Sequence, residues 1–370
     1  MARVAVLIGG VSPEHDISIL TGLQAQRGLA GAGHEVMTIF WSKGNEFHLV
    51  PNGLEASQFV KGVPVGSERL VLSLSEDPGF YVPAKRLSKP RKLAIDAVLN
   101  ALHGGPGEDG SIQSLFDLAG IRYTGPNALG AALGMDKLAF AGVCKLAGLP
   151  ALPRILLHSD LADPGFPGPY IVKPRYGGSS IGIDVVEDLA TALSRLKANV
   201  HHRAGAVLEP YRPDLVDLQI AVRTWPRPEL SVVERPLRKG EGAEILSYTD
   251  KYVAGGGMAE APREAPANIP PALADRIRQA AMALVELVPL RGVCRIDFLS
   301  DTAEELYVNE VNTIPGSLSK YLFIDPPVEF GKLLSDMVDE AMSTTTFSTT
   351  TQGADGTVLA SAASIAAKLG

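Results

Sequence analysis

The strongest constraint on this chain is a pair of short segments, Arg295-Ile296-Asp297 and Asn309-Glu310-Val311-Asn312, in which polar and apolar residues alternate. Period-two alternation marks a β-strand, so Arg295 and Asp297 share one face, as do Glu310 and Asn312. The polar, turn-forming stretch 301–305 predicts a hairpin that brings those faces together. Asp, Glu and Asn supply hard oxygen ligands suited to Mg²⁺, which keeps its remaining positions for water and phosphate oxygens. An arginine beside them stabilises charge on a transferring phosphoryl or acyl group. Either segment alone reads as a solvated strand face. The pair, followed by Thr313-Ile314-Pro315-Gly316, favours a nucleotide–metal site.

A chain of 370 residues exceeds one ordinary core, so two or three domains are expected. With 46% apolar and 20% charged residues it is a globular chain rather than a disordered one. A formal charge of −7 argues against nucleic-acid partners. No apolar run is long enough for a membrane span, and Met1-Ala2-Arg3 leads straight into a strand-like segment without the pattern of a signal peptide. A cytoplasmic protein with no membrane partner is expected. Cys144 and Cys294 match no zinc or CxxC spacing and read as buried thiols.

The N-terminal region opens with a buried-type strand over 3–8, a Gly-Gly turn and a helical pattern from Ile17 to Ala30, the start of an α/β unit with a parallel sheet. Residues 42–92 read as hairpins and loops. A second buried strand over 97–102 ends at the loop 103–110, and ligands in open α/β sheets bind beyond such strand ends. A helix over 137–150 is closed by Gly148 and Pro150, and Tyr170–Pro174 and Ala206–Glu209 read as strands. Residues 212–342 form an α+β unit with helices near 271–288 and 328–342. From Ser343 the composition of Ser, Thr, Ala and Gly favours disorder, with a weak helix over 360–368.

Several motifs bear chemistry. In Lys173-Pro174-Arg175-Tyr176-Gly177-Gly178-Ser179-Ser180, backbone N–H groups and the hydroxyls of Ser179 and Ser180 can grip phosphate oxygens, with Lys173 at the strand end. An ordinary β-turn is the plainer reading of that loop alone. No Walker A loop is present, which argues against a P-loop kinase. In Gly9-Gly10-Val11-Ser12-Pro13-Glu14-His15-Asp16, Asp16 is expected to cap the helix. Glu14 is left to bind an ammonium group or to interact with the helix dipole. His103 draws interest for its strand-end position. The stretch 247–258 reads as a loop with a cationic, aromatic tip able to close over a reaction centre.

In this order the motifs resemble those of the D-alanine–D-alanine ligases of the ATP-grasp superfamily. The match runs from Gly9–Glu14 through His103–Gly110, Met135-Asp136-Lys137, Lys173-Pro174, Gly178-Ser179-Ser180 and Asp250-Lys251-Tyr252 to Arg295-Ile296-Asp297 and Asn309–Gly316. The resemblance implies a three-domain architecture: an N-terminal α/β substrate-binding domain over 1–136, ATP-grasp subdomains over 137–211 and 212–342, and a tail over 343–370. It implies ATP and two Mg²⁺ ions (Mn²⁺ as a substitute), small amino-acid substrates and a homodimer.

By position, Glu14 would hold the first substrate's ammonium beside His103, and Ser179 and Tyr252 would lock the closed state through Glu14. Lys137, Lys173, Ser180 and Lys251 would contact phosphates, Glu209 and Tyr211 would flank the adenine, and Asp217 would meet the ribose. Asp297, Glu310 and Asn312 would hold metal, and Arg295 would steady the tetrahedral intermediate. Many family members bind the second substrate's carboxylate with a longer segment ending in Ser-Leu. This chain has Ser317-Leu318-Ser319-Lys320-Tyr321-Leu322, so Ser317, Ser319 or Tyr321 is the expected anchor, with Leu322 beside it. A ligase of the same mechanism with another second substrate is the alternative. A silent nucleotide-binding protein would be expected to have lost its metal ligands, and the Glu14 loop and Asp250-Lys251-Tyr252 favour amino-acid ligation over carboxylation.

Overall fold

The computed structural model describes residues 1–84, 89–237 and 262–345, together with 350, 352–354 and 359. The loop 247–258, with Asp250, Lys251 and Tyr252, and most of the tail lie outside the described residues.

The first sheet is built on β1 (Arg3–Gly9), whose apolar residues are buried, flanked in parallel by β2 (Glu35–Trp41) and β7 (Ala97–Asn100). The parallel character ends there. The sheet continues as an antiparallel meander of β3 (Phe47–Val50), β4 (Glu68–Ser73), β5 (Gly79–Val82) and β6 (Arg91–Lys92). Helix α1 (His15–Gly31) covers one face. A Cβ at Gly22 would stand 2.0 Å from Ile8 Cγ2, so this glycine is what lets the helix lie so close to β1. Short helices α2 (Ser111–Leu118) and α3 (Ala128–Met135) follow β7.

Helix α4 (Lys137–Leu146) begins at Asp136, whose carboxylate accepts hydrogen bonds from the Leu138 and Ala139 amides. It ends in a Schellman turn at Gly148, where Leu149 N bonds Cys144 O at 2.9 Å and Gly148 N bonds Lys145 O at 3.2 Å. The second sheet has the order β10 (Asp184–Val186), β9 (Tyr170–Pro174), β11 (Ala206–Pro210), β8 (Ile155–Leu157), with α5 (Leu189–Ala198) packed on it.

The third sheet runs β14 (Arg263–Glu264), β13 (Glu229–Pro236), β12 (Val216–Arg223), β15 (Val293–Ser300), β16 (Leu306–Asn312) and is antiparallel. Helix α6 (Pro271–Leu287) buries Leu273, Ile277, Ala281 and Leu284 against it. Helix α7 (Phe330–Ser343) then returns to the first sheet. Its Leu333, Leu334 and Met337 share one core with Leu29 of α1 and Leu99 of β7. Cys144 and Cys294 are both buried free thiols.

Candidate active site

The parallel strands β1 and β7 end side by side, and the loops that follow them meet. Ser12 ties them together: its hydroxyl donates to His103 O at 2.6 Å and accepts from Glu14 N at 2.9 Å. Gly104 has φ +63°, and a Cβ there would stand 2.4 Å from Glu14 Oε2, so only glycine permits this approach. From the second sheet, the Ser179 hydroxyl donates to Glu14 Oε1. Ser179 and Ser180 both hold left-handed backbone, at φ 52° and 58°, which is strained for serine.

His103 is buried, with Nε2 2.9 Å from Thr21 Oγ1. Burial pushes its ring down to about 4, so it is neutral at pH 7. Asp16 does not cap α1. The helix starts earlier than the sequence suggested, with Glu14 at the N-cap position and no side-chain cap bond, and the Asp16 carboxylate instead faces Lys43 at 3.5 Å.

The predicted hairpin forms, pairing Arg295 with Asn312 and Asp297 with Glu310 across β15 and β16. The Arg295 guanidinium forks onto Asp297, Nε to Oδ1 at 2.7 Å and Nη2 to Oδ2 at 2.8 Å. Asn312 Nδ2 donates to the same carboxylate at 3.0 Å. Among the described residues no group of three His, Cys, Asp or Glu side chains is placed to hold a metal. The candidate donors remain two carboxylates and one amide: Asp297, Glu310 and Asn312.

Two cavities meet here. Glu14, His103, Ser179, Arg295 and Tyr321 line the first. The second is lined by the predicted nucleotide residues Lys137, Lys173, Ser180, Glu209, Tyr211 and Asp217, with an apolar wall of Ile171, Leu215 and Leu299. Lys137, Gly178, Ser179 and Glu310 belong to both. Lys137 donates to Gly177 O and lies 3.7 Å from Glu310 Oε2, and burial lowers its pKa.

Glu209 is buried between Arg154 Nε at 2.7 Å and Lys173 Nζ at 2.9 Å. Burial alone would push its carboxyl up, but the two cations outweigh it and hold it at about 2. Arg154 went unread in the sequence. It also donates to Lys137 O and Asn309 O at 2.9 and 3.0 Å, joining α4 and β11 to the hairpin.

Glu108, Gln219, Glu234 and Arg263 also line the first cavity and were likewise unread. Glu108 belonged to a loop whose position at a strand end was the available signal. The segment Gly316–Leu322 winds tightly, with Ser317, Leu318 and Ser319 left-handed. It brings Gly316 and Tyr321 to the cavity. Ser317 N is tied to Thr21 Oγ1 at 3.1 Å, Ser319 is fully buried, and Leu322 packs in the core shared by α1 and α7.

Two family models match, described as D-ala D-ala ligase N-terminus over residues 3–126 and D-ala D-ala ligase C-terminus over residues 161–342. A D-alanine–D-alanine ligase of Acidiphilium cryptum is 32% identical over 349 residues, 92% of this chain and 99% of that protein. The structure of the D-alanine–D-alanine ligase from Coxiella burnetii superposes with a TM-score of 0.76 at 21% identity, over 92% of this chain and 94% of that one. The VanG D-Ala:D-Ser ligase from Enterococcus faecalis gives a TM-score of 0.75 at 22% identity, covering 92% of this chain and 99% of that one. At such identities the two structures establish the shared fold.

Proposed function

The chain belongs to the D-alanine–D-alanine ligase family, and we propose from this that it joins two D-alanines at the expense of ATP, giving D-alanyl-D-alanine, ADP and phosphate for peptidoglycan precursor synthesis. The observation that carries the reading is the meeting of two cavities at Lys137, Ser179 and Glu310, one ending on Glu14 and the other walled by cations and apolar side chains. Such a pair suits an amino acid and a nucleotide whose reacting ends must touch.

Glu14 holds the first D-alanine by its ammonium and so orients its carboxylate towards the second cavity. Lys137 and Lys173, the latter anchored by Glu209, offer positive charge to the ATP phosphates, and the family likeness gives Lys251, outside the described residues, the same role. Ile171 and Leu299 flank the adenine beside Tyr211, and Asp217 meets the ribose. The carboxylate oxygen attacks the γ-phosphorus, ADP leaves, and an acyl phosphate results. The amine of the second D-alanine attacks the acyl carbon, and phosphate departs with the oxygen that came from the carboxylate. Arg295, held in orientation by Asp297, faces the oxyanion of that step. Ser179, bonded to Glu14, helps hold the closed state that keeps water from the acyl phosphate, a role the family likeness extends to Tyr252, outside the described residues.

Hard oxygens on adjoining strands fit a divalent cation. Asp297, Glu310 and Asn312 would hold Mg²⁺, as two ions or with Mn²⁺ in its place, which would neutralise phosphate charge. The family likeness extends the proposal to a homodimer in the cytoplasm; no helix of the described residues is long and apolar enough to cross a membrane.

Phosphate release by the purified chain with Mg²⁺ and ATP, screened over D- and L-amino acids with products identified by mass, tests the reading. Release with D-alanine alone, yielding the dipeptide, is expected. Release only with a mixed pair would move the assignment to a ligase with another second substrate.

A further inference from the structure

The proposed reaction, on which this inference rests, passes through an acyl phosphate that water can hydrolyse. The glycine-rich loop shields it by carrying Ser179 to Glu14. Ser179 and Ser180 hold left-handed backbone there, and strain of that kind persists only where the surrounding structure over-determines it. The hold comes from a segment that lines neither cavity, the turn over 199–205 between α5 and β11.

This turn grips the loop at both ends. At one end Arg175 N donates to Gly205 O at 2.9 Å. At the other the Gly182 carbonyl accepts two side-chain hydrogen bonds, from Asn199 Nδ2 at 3.2 Å and from His202 Nε2 at 2.8 Å. A carbonyl oxygen only accepts, so the buried His202 ring carries a proton on Nε2. Asn199 is oriented by the Asp184 carboxylate, which accepts from Nδ2 at 2.9 Å, and by His201 N, which donates to Oδ1 at 3.0 Å. Gly182 has φ +77°, and a Cβ there would stand 2.5 Å from His201 Cβ, so glycine is what seats the loop on the turn. Just before Gly182, Ile181 N bonds Gly178 O at 3.1 Å and closes a tight turn whose middle residues are Ser179 and Ser180.

We propose that Asn199 and His202 are positioning residues for the ligation: by fixing Gly182 they keep Ser179 on Glu14, and so set how much acyl phosphate is lost to water. With the anchor loosened, water attacks the acyl carbon and the bond from that carbon to the phosphate oxygen breaks. Phosphate leaves, a proton is released, and D-alanine returns with one oxygen from water. One ATP is then spent without a dipeptide.

The test reads two products of the full chain with ATP, Mg²⁺ and D-alanine: phosphate, and D-alanyl-D-alanine by mass. The leak is the D-alanine-dependent phosphate in excess of dipeptide, per dipeptide. Asn199→Ser keeps an acceptor for His201 N but is too short to reach Gly182, and His202→Phe fills the ring's space without a donor. Loss of one ordinary hydrogen bond shifts an open–shut balance roughly fivefold, so each variant should raise the leak by about that factor. His202→Gln, which restores a donor, should bring it back towards the wild-type value. Asn199 is only half-buried, so Asn199→Ser decides the question if His202→Phe does not fold. Slower turnover at an unchanged leak in the folded variants is what a merely structural role would give, and it overturns this inference while the ligase reading stands. A wild-type chain that makes no dipeptide overturns the ligase reading and this inference with it.

Discussion

Glu108 is a single carboxylate on which two loops depend. It is buried, accepting Gly104 N at 2.9 Å on one oxygen and Thr313 Oγ1 and Ile314 N at 3.0 Å on the other. Burial, reinforced by the charge of Glu14, pushes its pKa from 4.5 up to about 7. A carboxyl raised on folding binds a proton in the native state that the unfolded chain has released. Its favourable contribution is complete below the unfolded pKa of 4.5 and is lost as pH rises through about 7. The thermal midpoint of the wild type should therefore fall between about pH 5 and pH 8, and Glu108→Gln should flatten that slope. Equal slopes in the two proteins would remove Glu108 from this role. Glu108 was illegible in the sequence because its partners lie 205 and 206 residues away. Arg154, whose bond to Asn309 spans 155 residues, was hidden in the same way. Arg295 and Asp297 were legible because two residues on one strand face constrain each other locally.

Among the elements, α4 shows how one residue can serve two structures. The Asp136 carboxylate caps the helix and also receives Arg175 of the glycine-rich loop, at 2.8 and 2.6 Å. Asp136→Ala removes the cap, which is worth roughly 1–2 kcal/mol, and releases the loop that carries Ser179. The denaturant midpoint should fall accordingly and the KM for ATP should rise; a stability loss with unchanged KM would show that the loop does not depend on this contact. The β15–β16 hairpin, α1, α6, α7, β9 and β11 were readable from periodicity and turn residues. Helix α2 was not, because it starts after a left-handed Gly110 with no side-chain cap. Helix α5 does have a signal, Asp188 accepting from Thr191 N at 2.7 Å, and it could have been found. The left-handed run Ser317-Leu318-Ser319 contains no glycine to announce it. Burial of Leu318 and Leu322 in the core beneath α1 is what holds it there.

On the scale of the whole molecule, long-range packing makes the site. Helix α7 comes from the C-terminal part of the chain yet seats Leu334 beside Gly28 of α1, where a Cβ would stand 2.6 Å from Leu334 Cδ1. Asp336 and Glu340 of the same helix bond Arg223 at 2.9 Å and Thr224 at 2.7 Å, so the first and third sheets hold one another. That mutual hold sets Glu14 and Arg295 on one cavity while Lys173 and Glu209 wall the next. In the proposed reaction, carboxylate oxygen passes to phosphate between them. Incubation of the full chain with ATP, Mg²⁺ and D-alanine labelled with ¹⁸O in the carboxylate tests this directly. D-alanyl-D-alanine together with inorganic phosphate carrying one ¹⁸O per dipeptide is expected. Dipeptide accompanied by unlabelled phosphate, or no dipeptide at all, would contradict it.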